Sequence, residues 1–312
     1  MRLYYSVLPL LISILLTGCD RAPRNSSVAV VAPSPPAAQV PAPSLDDLGR
    51  VIKLERTPRR IVTIGPGATE IIFALGAGAR LVGRDSASDY PPPALQVPVV
   101  ANFAGPFFEK AAAVRPDLII LQGETYDAAR AAAWQQKCGA PIAVLAPHTI
   151  RGLREGIEKI GSWLDLKDKA RVLNARLADA MNQREGTPKA KKRLQAFVEV
   201  SRSPLFTAGA GTLIDDVMRA ADLDNMARDI KSYKQYNLES LIAKDPDVYI
   251  VTESQPHQVR VLKELRAHPI LRNLKCVRGG RVIVLPSDLL LRPGPRLGTG
   301  IAMLRRAANA VK

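Results

Sequence analysis

Between residues 164 and 186 the apolar positions Leu166, Ala170, Leu173, Leu177 and Met181 recur three or four apart. That period predicts an amphipathic helix with Lys167, Asp168, Arg171 and Arg184 turned to water. Gly186 and Pro188 stop it. The chain on either side repeats itself. FEKAAAVRPDLIIL, residues 108–121, aligns without a gap with LESLIAKDPDVYIV, residues 238–251. The two share Glu109/Glu239, Ala113/Ala243, Pro116/Pro246 and Asp117/Asp247 before four apolar residues. Each predicts a short helix, a Pro-Asp turn and a buried strand. Proline cannot continue a helix, and the run after it is rich in Ile, Leu and Val. The pattern predicts an α/β chain of two similar lobes, 50–163 and 188–312, joined by one long helix at 164–187.

Within the first lobe, residues 60–64 read as a strand, Gly65-Pro66-Gly67 as a turn and 69–75 as a helix. Short strands follow at 81–83, 97–100 and 142–145, and a last helix runs to about Trp163. In the second lobe, 195–200 is a strand, 203–206 a loop, 211–221 a helix and 229–237 a polar loop. After the repeated strand come a helix at 258–266, a strand at 281–285, a loop at 286–295 and a basic amphipathic helix. Strands alternating with helices imply parallel sheets covered on both faces.

Ahead of the lobes, an apolar run at 3–16 is broken only by Ser6, Pro9 and Ser13. It is shorter than the roughly 20 residues that span a bilayer and fits the apolar region of a signal peptide. Leu16-Thr17-Gly18-Cys19 resembles the lipobox of bacterial lipoproteins, which implies a signal peptide at 1–19 and a lipid on Cys19. Residues 20–49 are rich in Pro, Ala, Ser and Val without periodicity. They read as a tether reaching roughly 90 Å when extended at about 3.1 Å per residue. The expected location is the cell envelope or periplasm, with the membrane as a partner through the anchor.

Composition narrows the function. Of 312 residues 47% are hydrophobic, enough for two domains with cores of their own. The net charge of +15 does not indicate nucleic acid. The basic residues are scattered, and the one dense run, 189–193, has no aromatic on which a base could stack. Anionic headgroups near a tethered protein are the better neighbour. Nucleotide is not indicated either. Neither Gly65-Pro66-Gly67 nor 209–212 continues as GxGxxG or into a Lys-Ser/Thr pair. Cys138 and Cys276 fall in different lobes and read as buried thiols. His148, His257 and His268 have no metal-ligand spacing. There is no GxSxG, and Ser254 with His257 is the only nearby nucleophile–base pair. No catalysis, resident metal or cofactor is expected; an exported hydrolase is the alternative of another class.

In open parallel sheets, ligands bind beyond the carboxyl ends of the strands. Pro66, Tyr90, Phe103 and Tyr126 fall there in the first lobe, and Phe206, Tyr233, Tyr236, Asp288 and Arg292 in the second. Aromatics are only 5% of the chain, yet many sit in these loops. Rings at facing loop tips make walls for a large, flat, partly apolar guest. Asp288 and Arg292, four apart, can meet ligand amides or each other.

Several segments together resemble the periplasmic binding proteins for iron complexes and vitamin B12, the class III substrate-binding proteins. They are RIVTIGPGATE at 60–70, SDYPP at 88–92, the unit at 109–121, PLFTAG at 204–209, and Ser287-Asp288 with Pro295-Arg296. The resemblance covers most of residues 59–312. It implies two rigid Rossmann-like lobes, small hinge motion and delivery of ligand by a monomer to the permease of an ABC importer. Within the family the chain is most similar to cobalamin receptors. Tyr90, Phe206, Asp288 and Arg292 match positions that contact the corrinoid there, and Pro66, Phe103 and Tyr233 complete the expected ligand set. Phe103 and Tyr233 stand where those receptors often have tryptophan, and Leu289 where an aromatic is common. Haem-binding relatives usually place Tyr or His near the Phe103 loop, where this chain has Asn102. A ferric siderophore is the alternative guest, met by cations such as Arg84 and Arg292. The resemblance also implies that Glu109 and Glu239 dock on arginines of the permease.

Overall fold

The computed structural model describes residues 41–42, 44–102, 104–182 and 193–311. The segments expected as signal peptide, with Cys19, and as most of the tether, together with Phe103 and the expected helix stop at Gly186 and Pro188, lie outside the described residues.

The tether ends earlier than its composition suggests. β1 (Ser44–Leu45) pairs antiparallel with β2 (Val51–Ile52). Asp46 between them is buried, and its carboxylate accepts from the N–H groups of Leu48, Arg50 and Val144 and from the Arg50 guanidinium. Trp163 Nε1 donates to Ser44 Oγ at 2.6 Å. Residues 44–49 thus belong to the folded body, because one aspartate satisfies the turn that composition alone reads as linker.

The first lobe runs β3 (Ile61–Ile64), α1 (Pro66–Ala74), β4 (Leu81–Asp85), β5 (Val99–Asn102), β6 (Gly105–Pro106), α2 (Phe108–Ala113), β7 (Leu118–Gln122), α3 (Ala128–Cys138), β8 (Ile142–Leu145) and α4 (Ile150–Trp163). Its sheet has the order β6-β5-β4-β3-β7-β8, parallel except at β5–β6. β3, β7 and β8 are buried at every position, as strands covered on both faces must be. Asp165, with φ of 57°, turns the chain into α5 (Lys167–Asn182), which starts slightly later than the apolar period predicts.

The second lobe runs β9 (Leu194–Glu199), β10 (Ser201–Arg202), β11 (Leu205–Ala208), α6 (Leu213–Ala220), β12 (Leu223–Asn225), β13 (Tyr233–Gln235), α7 (Leu238–Lys244), β14 (Val248–Glu253), α8 (Gln258–Ala267), α9 (Lys275–Arg278), β15 (Val282–Pro286), α10 (Ser287–Leu290) and α11 (Leu297–Ala310). β12-β9-β14-β15 form a parallel sheet, and β10-β11-β13 a small antiparallel one. The segments 203–206 and 229–237, expected as loops, therefore carry strands, and 286–295 carries the turn of helix α10. Strands of two to four residues are too short to show a period.

The internal repeat is also a repeat of contacts. The Asp117 carboxylate accepts from Arg59 N–H at 2.9 Å and Arg60 N–H at 2.8 Å, and Asp117 N–H donates to Arg60 O. In the second lobe Asp247 accepts from Gln195 N–H at 2.9 Å and returns its own N–H to Gln195 O. Each aspartate pins the start of its strand to the start of the neighbouring one. The Pro-Asp pair is conformational and chemical at once: proline ends the helix and aspartate locks the sheet edge.

The lobes do not have wholly separate cores. One apolar cluster is confined to each lobe, around Val62 and Val144 in the first and around Phe197 and Tyr249 in the second. A third is shared, running from Ile61 and Ile71 through Trp163, Leu173 and Leu177 to Val198, Val217 and Ile301. α5 supplies its middle. Its face of Ala170, Leu173 and Leu177 is buried as the period predicts, and α4 packs so closely that a Cβ on Gly161 would sit 2.5 Å from that of Ala170.

Asp247 predicts a pH-dependent contribution to stability. Burial opposes its ionisation, but the Gln195 N–H and the Lys275 ammonium outweigh it and hold the pKa below the usual carboxylate range. A lowered native pKa means stability present at neutral pH and lost as pH falls through that value. Asp247→Ala should cost about 1 kcal/mol in urea unfolding at neutral pH, with the deficit shrinking in acid.

Candidate functional site

A cavity of about 460 Å³ lies between the lobes. Pro66, Gln122, Glu124 and Pro147 line it from the first lobe, and Leu213, Tyr233 and Arg292 from the second. Most of these residues end or follow strands or open helices at the carboxyl edges of the parallel sheets, where such folds place ligands, while Tyr233 begins β13 of the small antiparallel sheet. Most of the lining is apolar. Tyr233 is held as a neutral phenol, its pKa pushed far up by burial and by the Glu124 carboxylate opposite. A larger cavity, about 680 Å³, sits on the second lobe beside Ser203, Asn237, Glu239 and His268. Of the residues expected at the ligand it contains only Tyr236.

Beside the inter-lobe cavity, charges stitch the lobes together. Glu70 on α1 is 3% exposed and meets Arg296 of the second lobe in a two-pronged pair at 2.6 and 2.9 Å. Burial pushes the Glu70 pKa up despite Arg296, while the same pair holds the Arg296 guanidinium more firmly charged. With two short charge-assisted bonds, the pair is ionised at neutral pH. Arg292 donates to Asp89 of the first lobe at 2.5 Å and to Asp288 at 2.9 Å. That contact holds the Asp89 pKa below the ordinary range. Gln122 Nε2 donates to Pro293 O at 2.9 Å. The approach is close: a Cβ on Gly67 would lie 2.2 Å from Pro293 O, so only glycine fits there. Gly67 thus serves lobe packing.

The predicted ligand residues separate into three groups. Pro66, Tyr233 and Arg292 line the cavity, and Asp288 pairs with Arg292 beside it. Tyr90 stands outside the lining with the Arg296 guanidinium 3.9 Å above its ring. Phe206 on β11 also stands outside it. The register, Phe206 opposite Gln235 and Ala208 opposite Tyr233, puts Phe206 and Tyr233 on one face of the small sheet. Phe103 lies outside the described residues. Two rings expected at loop tips pack within their own lobes instead: Tyr236 is 5% exposed against Phe197, and Tyr126 meets Trp134 edge-on. Glu109 and Glu239 are exposed in the first turns of α2 and α7.

Sequence reasoning missed Glu70, Arg296 as its partner, Gln122 and Glu124. Glu70 carried a signal: a lone carboxylate inside the otherwise apolar helix PGATEIIFA, where only a partner from elsewhere makes burial tolerable. Among the described residues no cluster of three or more His, Cys, Asp or Glu side chains could hold a metal ion, and no helix is long and apolar enough to cross a membrane.

The family described as periplasmic binding protein matches residues 61–289. The chain is 27% identical over 305 residues to the ABC transporter substrate-binding lipoprotein YvrC of Bacillus subtilis, covering 95% of this chain and 93% of that one. It is 28% identical over 250 residues to the vitamin B12-binding protein of Photorhabdus laumondii, covering 78% and 86%. Among solved structures, the periplasmic heme-binding protein RhuT from Roseiflexus sp. RS-1 superposes with a TM-score of 0.68 at 26% identity, covering 81% of this chain and 99% of that one.

Removing Arg296 leaves Glu70 buried without its guanidinium. Arg296→Met should cost about 3–5 kcal/mol in chemical denaturation at neutral pH. Loss of the partner raises the Glu70 pKa further above its unfolded value, so the native state takes up a proton more readily. The deficit should therefore shrink as pH falls through that raised value.

Proposed function

Because the chain belongs to the periplasmic binding protein family, whose members are substrate-binding components of ABC importers, we propose that its guest is a corrinoid of the vitamin B12 type. The guest enters the inter-lobe cavity, and the protein hands it to a permease while anchored through lipid on Cys19. It acts as a monomer, without catalysis. The ligand set is the cavity and its rim, with Pro66 and Tyr233 as walls, Tyr90 and Phe206 as flanking rings and Asp288 with Arg292 as the polar edge, together with Phe103, which lies outside the described residues.

One observation carries the choice of guest. Arg292 is the cation of the cavity lining, and it is already engaged by Asp89 and Asp288, with Glu70 4.0 Å away. The other charged lining group, Glu124, is negative. An anionic ferric complex would find no unpaired positive charge there and would face a carboxylate. A large guest with an apolar face and a neutral carboxamide rim suits the same surface. The relatives named as vitamin B12-binding proteins support the same reading.

The permease reading rests on the two exposed glutamates. They stand at equivalent places in the repeat, and among the described residues neither is held in an ion pair. Unpaired like charges on matched lobes suit a pseudo-symmetric basic partner.

Titration calorimetry of the purified protein tests the guest. Cyanocobalamin should bind at micromolar concentration or tighter, and a ferric trihydroxamate should give no heat. The reverse outcome assigns the cavity to iron chelates. Tyr233→Ala should weaken the corrinoid roughly 10–50-fold, as loss of a buried aromatic anchor does. For docking, Glu109→Lys with Glu239→Lys should abolish stimulated transport and leave corrinoid affinity unchanged; a fall in affinity would refute the docking role.

A further inference from the structure

The three histidines differ in which ring nitrogen is engaged. His257 Nδ1 accepts the N–H of Arg260 at 3.1 Å. His268 Nδ1 accepts the N–H groups of Ile270 and Leu271 at 3.2 and 3.1 Å. A nitrogen that accepts carries no proton, so in both neutral rings the proton sits on Nε2 and the lone pair is spent on the backbone. His148 is reversed. Its Nδ1 lies 3.1 Å from Glu124 Oε1. A carboxylate can only accept, so Nδ1 holds a proton, and in the neutral ring the Nε2 lone pair is left available.

Its position matters as much. Glu124 and Pro147, the residue before His148, both line the inter-lobe cavity. Thr149, the residue after it, caps α4, and the N–H of Ile150 bonds Asp216 of the second lobe at 2.9 Å. His148 therefore stands where the two lobes meet at the cavity edge. Its side chain is 55% exposed and stands beside the lining residues without being one of them, so it is open to a guest that extends over the cavity rim.

We propose that His148 Nε2 is an axial ligand for the metal of the guest, with Glu124 as the positioning residue. This deepens the corrinoid reading and rests on it. The step is ligand exchange with no change of oxidation state. The bond between Co(III) and an axial water breaks, the Nε2 lone pair forms the new bond, and the water leaves to solvent. The Nδ1 proton stays in its hydrogen bond to Glu124. A carboxylate on the far nitrogen fixes the ring plane and makes the imidazole a stronger donor. The guest selected is then a metallocorrinoid whose outer axial site exchanges, ahead of one whose site is blocked by cyanide.

The full-length protein is titrated with aquocobalamin and with cyanocobalamin, reading affinity and the visible absorption of the bound guest. The expected result is a spectral change on binding aquocobalamin, none with cyanocobalamin, and tighter binding of the aquo form. His148→Ala should abolish the spectral change and bring the affinity ratio close to one. Glu124→Gln should weaken the aquo form roughly 10–100-fold; a merely structural role would not move the spectrum. If both cobalamins bind and wild-type protein leaves the aquocobalamin spectrum unchanged, the His148 role is wrong and the corrinoid reading stands. If neither cobalamin binds, the corrinoid reading fails, and haemin decides the rest. A haemin spectrum that shifts on binding and loses the shift in His148→Ala retains the axial role, whereas no such shift ends it.

Discussion

A carboxylate with almost no access to water determines how the two lobes meet. Glu70 sits in the first turns of an apolar helix, and its charge is tolerable there only because Arg296 arrives from the other lobe with two short bonds. Taking such a pair out of water costs several kcal/mol per ion, so the geometry must be good on both sides. This requirement propagates. Arg296 in place brings its guanidinium over Tyr90, sets Arg292 four residues earlier against Asp89 and Asp288, and lays Pro293 O against Gln122 and Gly67. The junction is a single ionic and hydrogen-bonded unit. Parts of it cannot be lost independently.

The shared apolar core gives that unit its backing. α5 is more than a strut between independent bodies, because Leu173 and Leu177 belong to the same buried cluster as Ile71 on one side and Ile301 on the other. Separating the lobes widely would expose part of this cluster at roughly 25 cal/mol per Å² of apolar surface. The inter-lobe cavity is therefore largely preformed, with its polar groups already held in place. Small motions, such as rotation about the turn at Asp165, are compatible with an intact core; a wide hinge is not.

Much of this was legible in the sequence and some was not, for identifiable reasons. The repeat at 108–121 and 238–251 predicted matching helix–strand units, and even the shared aspartates proved to make matching contacts. The face of α5 followed from spacing alone. Composition misled at 44–49, where Asp46 turns the end of the stretch expected as a tether into folded structure, in part through a bond to a residue 98 positions away. Periodicity was silent about β10, β11 and β13, which are too short to have any. Tyr236 and Tyr126 look like loop-tip rings in one dimension, and only the packing of Phe197 and Trp134 shows where they point. The Glu70–Arg296 pair spans 226 residues, and no local rule connects its members.

Overall charge and local charge pull in different directions. A net +15 favours anions everywhere on the surface, which by itself would suit an anionic ferric complex, the alternative guest. Screening limits that argument, because at physiological ionic strength exposed charges lose their reach beyond about 8 Å. Inside the junction the nearest groups decide, and there acids outnumber free bases: Glu70, Asp89 and Asp288 surround Arg292 and Arg296, with Glu124 facing them from the lining. Among the described residues that line the cavity, the one cation is Arg292, and it is already paired. On the proposed reading, selection by the cavity runs against the sign of the whole molecule, and a guest held there is recognised by shape, apolar area and hydrogen bonding.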